Sequence, residues 1–168
     1  QVSHPQWHGL YLFAMDGVVW RTSDTRENSE AFSKHGNQHS EGNYPQVRMV
    51  CLMELSSHLI NASAFDSESV SEMRLAAQLT DRVPDNSITL FDRGYYSPGL
   101  LHHWQHAGEN RHWLLPLIKN TQYEVVCRLG RGDERVKLKT SPLARNQWPG
   151  LPEEVTARLL SRKVDGKE

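Results

Sequence analysis

The stretch LYLFAMDGVVW, residues 10–20, decides the fold, because an aspartate, Asp16, interrupts an otherwise apolar run of aromatic and β-branched residues. The run is long enough to be a central strand of a sheet. A carboxylate there costs desolvation energy unless something positive offsets it. The pattern recurs where Asp92 follows ITLF (88–91) and opens DRGYY (92–96). If the two strands are neighbours, two like charges meet at their ends. A shared divalent cation is the simplest remedy, and a metal held by carboxylates is a tool for phosphoryl transfer. Each acid also has a local reading: Asp16 held by backbone N–H groups or by Arg21, Asp92 paired with Arg93 or capping a turn. Gly17 and Gly94 follow the acids closely and would let a ligand approach, although turns need glycine too.

Outward from these runs, the sequence predicts a first strand over 10–21, then a polar segment, 22–45, with a turn-rich loop at KHGNQHSEGN, 34–43. Strands follow at 47–54 and 57–65, close enough to form a hairpin. Ser69 and Glu72 are spaced as a capping box for a helix over 70–82. Strand four, 87–92, carries Asp92. Ser97 caps a second helix with Pro98 at its first position, packed through Leu100, Leu101 and Trp104. HWLLPLI, 112–118, is strand five. Three strands, a helix, a strand, a helix and a strand make an α/β domain with a mixed sheet, in which strands one and four can lie side by side. Beyond it, 123–140 reads as a basic hairpin turning at Gly130 to Asp133, 141–154 as a loop, and 155–164 as a strand. Two regions are therefore expected, 1–121 and 122–168.

The chain has 168 residues and a net charge of −1, unevenly spread. Residues 1–110 hold seven Lys/Arg against thirteen Asp/Glu, and residues 111–168 hold twelve against seven. An acidic half suited to metal precedes a basic segment suited to phosphate, or the asymmetry belongs to an ordinary solvated surface. No stretch is long and apolar enough to cross a bilayer. Cys51 and Cys127 sit in strand-like runs and read as buried reduced thiols. His102 and His106 lie one helical turn apart, but no HExxH or paired-cysteine set accompanies them. Arg93 is a candidate for bidentate phosphate contact, or for an internal salt bridge. Lys119 closes strand five as a backbone-phosphate candidate or as an ordinary solvated end. Arg135, Lys137 and Lys139 share one face of a strand and are either DNA contacts or solvated charge.

AMDGVVWRTSDT (14–25), YPQVRMVCLMELSSHLI (44–60), SEMRLAAQL (71–79), LFDRGYYS (90–97) and WLLPLIKN (113–120), in that order, resemble the catalytic core of bacterial insertion-sequence DDE transposases. The resemblance is to the cut-and-paste class with a large β-rich insertion before the last acid. It implies a ribonuclease-H-like core with an appended, β-rich insertion segment. Asp16 and Asp92 are then the first two catalytic, metal-holding acids. The third, a glutamate on a later helix, has no matching stretch here, since Glu124, Glu134, Glu153 and Glu154 fall in the segment resembling the insertion. The chain begins without methionine and has two residues after Asp165-Gly166, so an internal fragment of a longer protein is expected. For that parent the resemblance implies two Mg²⁺ (or Mn²⁺) ions, double-stranded DNA at transposon ends as partner, self-association, no membrane, and a bacterial, cytoplasmic, nucleoid-associated setting. Arg93, Lys119 and the basic strand would hold DNA backbone.

Two rival readings stand beside this one. LFAMDGVV is similar to the opening of haloacid-dehalogenase-like phosphatases, but Ala14 occupies the nucleophile position, so no aspartyl-phosphate can form. The other is a catalytically inert DNA-binding or scaffold fragment, because a site lacking its third acid binds metal weakly.

Overall fold

A computed structural model describes residues 5–32, 34 and 44–162. The predicted turn-rich loop at 34–43, apart from Lys34, and the Asp165-Gly166 turn lie outside the described residues. The chain forms two compact units, one running to Tyr96 and including Trp104–Pro116, the other made of Ser97–His103 and the residues from Leu117 on.

In the first unit, β1 (Tyr11–Arg21), β2 (Gln46–Glu54), β3 (Leu59–Ser67), β4 (Ser87–Phe91) and β5 (Arg111–Leu114) form a sheet in the order β3-β2-β1-β4-β5. β1, β2 and β3 are joined antiparallel, whereas β4 runs parallel to both β1 and β5. This is the mixed sheet expected of a ribonuclease-H-like α/β fold. The crossover from β3 to β4 passes through α2 (Glu72–Gln78). Side chains alternate along β1: Phe13 and Met15 are buried with Val50, Leu52 and Phe91, while Asp16 is exposed. Leu75, Ala76 and Leu79 are the buried residues around α2, whereas Met73 faces outward.

Several elements differ from the sequence expectation. A short helix, α1 (Arg26–Ala31), interrupts the polar segment, because Thr25 Oγ1 accepts from the Asn28 N–H at 3.2 Å. α2 starts later than predicted. Ser71, not Ser69, caps it by accepting from the Arg74 N–H, while the Ser69 hydroxyl donates to Ser67 Oγ. The helix then tightens into a 3₁₀ turn at Thr80–Arg82. β5 stops at Leu114, short of Pro116, which cannot donate to the ladder. Lys119 therefore does not close a strand, but sits in the turn after it.

α3 (Pro98–His106) buries Leu100, Leu101 and Trp104 as expected, with the Ser97 hydroxyl facing the Leu100 N–H. Trp104 Nε1 donates to Thr89 Oγ1 at 3.1 Å, and its ring meets Phe91 edge-on at 5.1 Å. Gly108 sits where Arg111 folds back onto Asp85 and the Thr80 carbonyl at 3.1 and 3.0 Å. A Cβ at Gly108 would lie 2.1 Å from Arg111 Nε and 2.3 Å from Asp85 Oδ1. Gly108→Ala is expected to cost about 1–3 kcal/mol by overpacking this corner, read as a lower urea midpoint with an unchanged m-value.

The second unit holds a three-stranded antiparallel sheet, β6 (Tyr123–Gly130), β7 (Asp133–Lys139) and β8 (Glu154–Leu160), in that order. Its buried residues include Val136, Leu138, Leu151 and Val155. The predicted loop after β7 contains α4 (Pro142–Gln147), capped by Ser141 with Pro142 at its first position. The Trp148 ring, at the end of α4, lies against Gly99, where a Cβ would come within 2.2 Å of Trp148 Cδ1.

Candidate functional site

The parallel ladder between β1 and β4 ends at Met15 opposite Phe91. Asp92 keeps extended backbone, with φ −75° and ψ 170°. Asp16 and Asp92 are the next residues along the chain after that last pair. Both are exposed, and both alternate away from the buried Met15 and Phe91. The two acids singled out from the sequence thus follow directly on the last paired residues of the β1–β4 ladder, Asp16 within β1 and Asp92 just past the end of β4.

Each aspartate also has a local role. Asp16 Oδ1 accepts from the Gly17 N–H at 2.8 Å, and Asp92 Oδ1 accepts from the Gly94 N–H at 2.7 Å, capping a single 3₁₀ turn at Arg93–Tyr95. These bonds orient both carboxylates. Among the described residues they engage one oxygen of each, and neither acid is ion-paired to Arg21 or Arg93. Two hard oxygen donors oriented by backbone amides and facing solvent fit an oxygen-preferring divalent cation. No group of three or more His, Cys, Asp or Glu placed to hold a metal is present among the described residues, and His102 and His106 build none.

The surroundings reinforce the negative character of this corner. Burial, then the charges of Glu72, Asp16 and Asp92, push the Tyr95 hydroxyl well above the ordinary tyrosine range. Burial and the Asp16 charge also raise the Cys51 thiol, whose residue faces Asp16 across the β1–β2 ladder. Cys51 and Cys127 are free and half-buried. Ala14 pairs with Leu90 and Met53 in the sheet, where it supplies no nucleophile.

The basic candidates are dispersed. Arg93 follows Asp92 directly, is exposed, and forms no ion pair among the described residues. Tyr95 is buried and fills space beneath the turn, while Tyr96 is half-buried. Lys119, Arg135, Lys137 and Lys139 belong to the other compact unit. Arg135, Lys137 and Lys139 do share the face opposite the buried Val136 and Leu138. Lys137, however, pairs with Glu154 at 2.6 Å, and that contact raises its pKa. Arg158 on β8 is paired with Asp133, and Arg128 with Glu134 at 3.3 Å. Cross-strand acids therefore offset much of the charge that the sequence concentrates here. Arg135 and Lys139 keep exposed cations without an ion pair among the described residues.

Glu72 was read from the sequence only as a helix-capping residue. In the fold its carboxylate lies over Gly17, the residue after Asp16, a placement that follows from the packing of α2 on the sheet.

The transposase DDE domain family matches residues 7–162. The chain is 56% identical over 164 residues to the transposase InsG for insertion sequence element IS4 of Escherichia coli (strain K12), covering 98% of this chain and 37% of that protein. It is 43% identical over 121 residues to the putative transposase InsZ of the same strain, covering 71% of this chain and 40% of that protein. The chain thus spans about two fifths of the length of these curated relatives. A solved piggyBac transposase synaptic complex with hairpin DNA aligns over 92% of this chain and 34% of its own, at 10% identity and a TM-score of 0.44, a likeness too slight to bear on the site.

Proposed function

Because this chain belongs to the DDE-domain transposase family, we propose that it is the part of a longer transposase that supplies Asp16 and Asp92 for metal-dependent strand cleavage and strand transfer at transposon ends. The observation that supports the proposal is the parallel β1–β4 ladder, whose last pair, Met15 opposite Phe91, immediately precedes the two acids. The family generally uses divalent metal ions. Here the solvent-facing oxygens of Asp16 and Asp92 would hold Mg²⁺ or Mn²⁺, two ions in the complete site. When bound, such ions supply electrostatic stabilisation for in-line displacement at phosphorus.

The chain's own residues then have definite tasks. The Gly17 and Gly94 amides keep the two carboxylates oriented, so that little reorganisation is needed on binding. Arg93, next to Asp92, grips a phosphate through its planar fork. Lys119, Arg135 and Lys139 contact DNA backbone, which positions the duplex without choosing its sequence. Lys137 contributes less, since Glu154 already compensates it. A glutamate outside this chain completes the acid set, and self-association and a nucleoid setting accompany the same reading.

One consequence is that the chain alone binds metal weakly and does not cut. The test is cleavage of element-end DNA with Mg²⁺ by a longer transposase polypeptide containing these residues. Cleavage should be lost on chelation and fall about 100-fold or more in Asp92→Asn. Undiminished cleavage by Asp92→Asn would overturn the assignment.

A further inference from the structure

Glu72, on the first turn of α2, reaches β1 at the residue after Asp16. A Cβ built on Gly17 would lie 2.8 Å from Glu72 Cδ and 2.9 Å from Glu72 Oε1, so the carboxylate occupies the space that the glycine leaves open. Beside it lies Tyr95, which is 1% exposed and whose hydroxyl is buried without a hydrogen-bond partner among the described residues. Glu72 is near enough to act on that hydroxyl as an acceptor, although the contact falls short of hydrogen-bond geometry, and its charge acts on Tyr95 together with those of Asp16 and Asp92. The charges of three carboxylates thus bear on this phenol, and none of the three is ion-paired to Lys or Arg among the described residues. A buried hydroxyl without a partner is costly, and so is an uncompensated cluster of like charge.

The strand geometry says how Glu72 enters. Gly17 and Asp16 project to opposite faces of β1, so Glu72 is not an inner ligand alongside the two aspartates, in keeping with the absence of a ready three-ligand group among the described residues. But β1 continues to Arg21, whereas its ladder with β4 ends at Met15 and Phe91. Past Met15, β1 has no strand partner on the β4 side among the described residues. Mg²⁺ usually keeps several waters when carboxylates bind it.

We infer that Glu72 is a positioning residue of the cation site. It accepts a hydrogen bond from water on a divalent cation held by Asp16 and Asp92, and Tyr95 Oη donates to the Glu72 carboxylate in that state. It is distinct from the glutamate expected on a later helix. Gly17 is required because a side chain there would displace Glu72. The inference rests on the proposed cation site, and the two can fail separately.

The experiment is Mn²⁺ titration of this chain, followed by electron paramagnetic resonance, in the wild type and in Asp16→Asn, Glu72→Gln, Gly17→Ala and Tyr95→Phe, with circular dichroism confirming the fold of each. Glu72→Gln should weaken Mn²⁺ binding about tenfold or more, as loss of an outer hydrogen-bonding partner does. Gly17→Ala should weaken it in the same direction, and Tyr95→Phe by less. If Asp16→Asn loses binding while Glu72→Gln and Gly17→Ala bind as the wild type does, the role of Glu72 is overturned and the site stands. If the wild type and Asp16→Asn give the same titration, the site itself is wrong and this inference falls with it.

Discussion

Asp16→Asn is expected to abolish specific Mn²⁺ binding while leaving thermal stability unchanged or slightly raised. The two halves of this result have one cause. Asp16 is exposed, and among the described residues its side-chain hydrogen bond is the one its Oδ1 accepts from the Gly17 N–H. An asparagine oxygen can accept the same bond, so the local turn survives. No ion pair is lost with the charge, since Asp16 has none among the described residues. The cation, by contrast, loses a hard anionic ligand, and the affinity loss should exceed the 10–100-fold typical of an outer partner. Calorimetric unfolding and Mn²⁺ titration on the same sample check both halves. A fall in melting temperature with binding intact would mean that Asp16 serves the strand end and not a metal.

Trp104→Ala should bring the largest loss of stability in the molecule. Trp104 is fully buried, meets Phe91 edge-on at 5.1 Å, and donates from Nε1 to the buried Thr89 hydroxyl. Truncating such a side chain costs about 3–5 kcal/mol, and the orphaned Thr89 oxygen adds about 1 kcal/mol. That sum approaches the low end of the total stability of a domain, about 5–15 kcal/mol. Far-UV circular dichroism of Trp104→Ala should show an unfolded or barely folded chain at 25 °C. Trp104→Phe, which keeps a ring but not the donor, should remain folded with a clearly lower urea midpoint. A near-normal midpoint for Trp104→Ala would mean that Trp104 is not the anchor between α3 and β4.

Much of the core was legible in local pattern. The continuous apolar runs around Asp16 and before Asp92 mark strands buried deeply enough to be central, and Ser97-Pro98 marks a helix start through capping chemistry alone. Where the pattern misled, local competition was the reason. Ser69 and Ser71 are both plausible caps ahead of α2, and the choice fell to Ser71 because the Ser69 hydroxyl is bonded to Ser67. Lys119 was placed at a strand end by reading through Pro116, where the ladder had already stopped. The short helices α1 and α4 lie in segments rich in turn-forming residues, and each exists through one serine or threonine cap that composition does not distinguish from a loop.

The amino-acid sequence by itself determined that one aspartate would interrupt a strand and another would follow one, since a hydrophobic run and the residue that breaks or ends it are local facts; Asp16 lies within β1 and Asp92 just past β4. The tertiary structure alone decided that those strands are parallel neighbours in a register that pairs Met15 with Phe91, the residues just before the two acids, and that Glu72 folds back over Gly17. It also decided that Lys137 is compensated by Glu154 while Arg135 and Lys139 are left facing water. Charges act through space over a few ångströms. Which charges come that close depends on strand order and helix packing, which the spacing of residues along the chain does not encode.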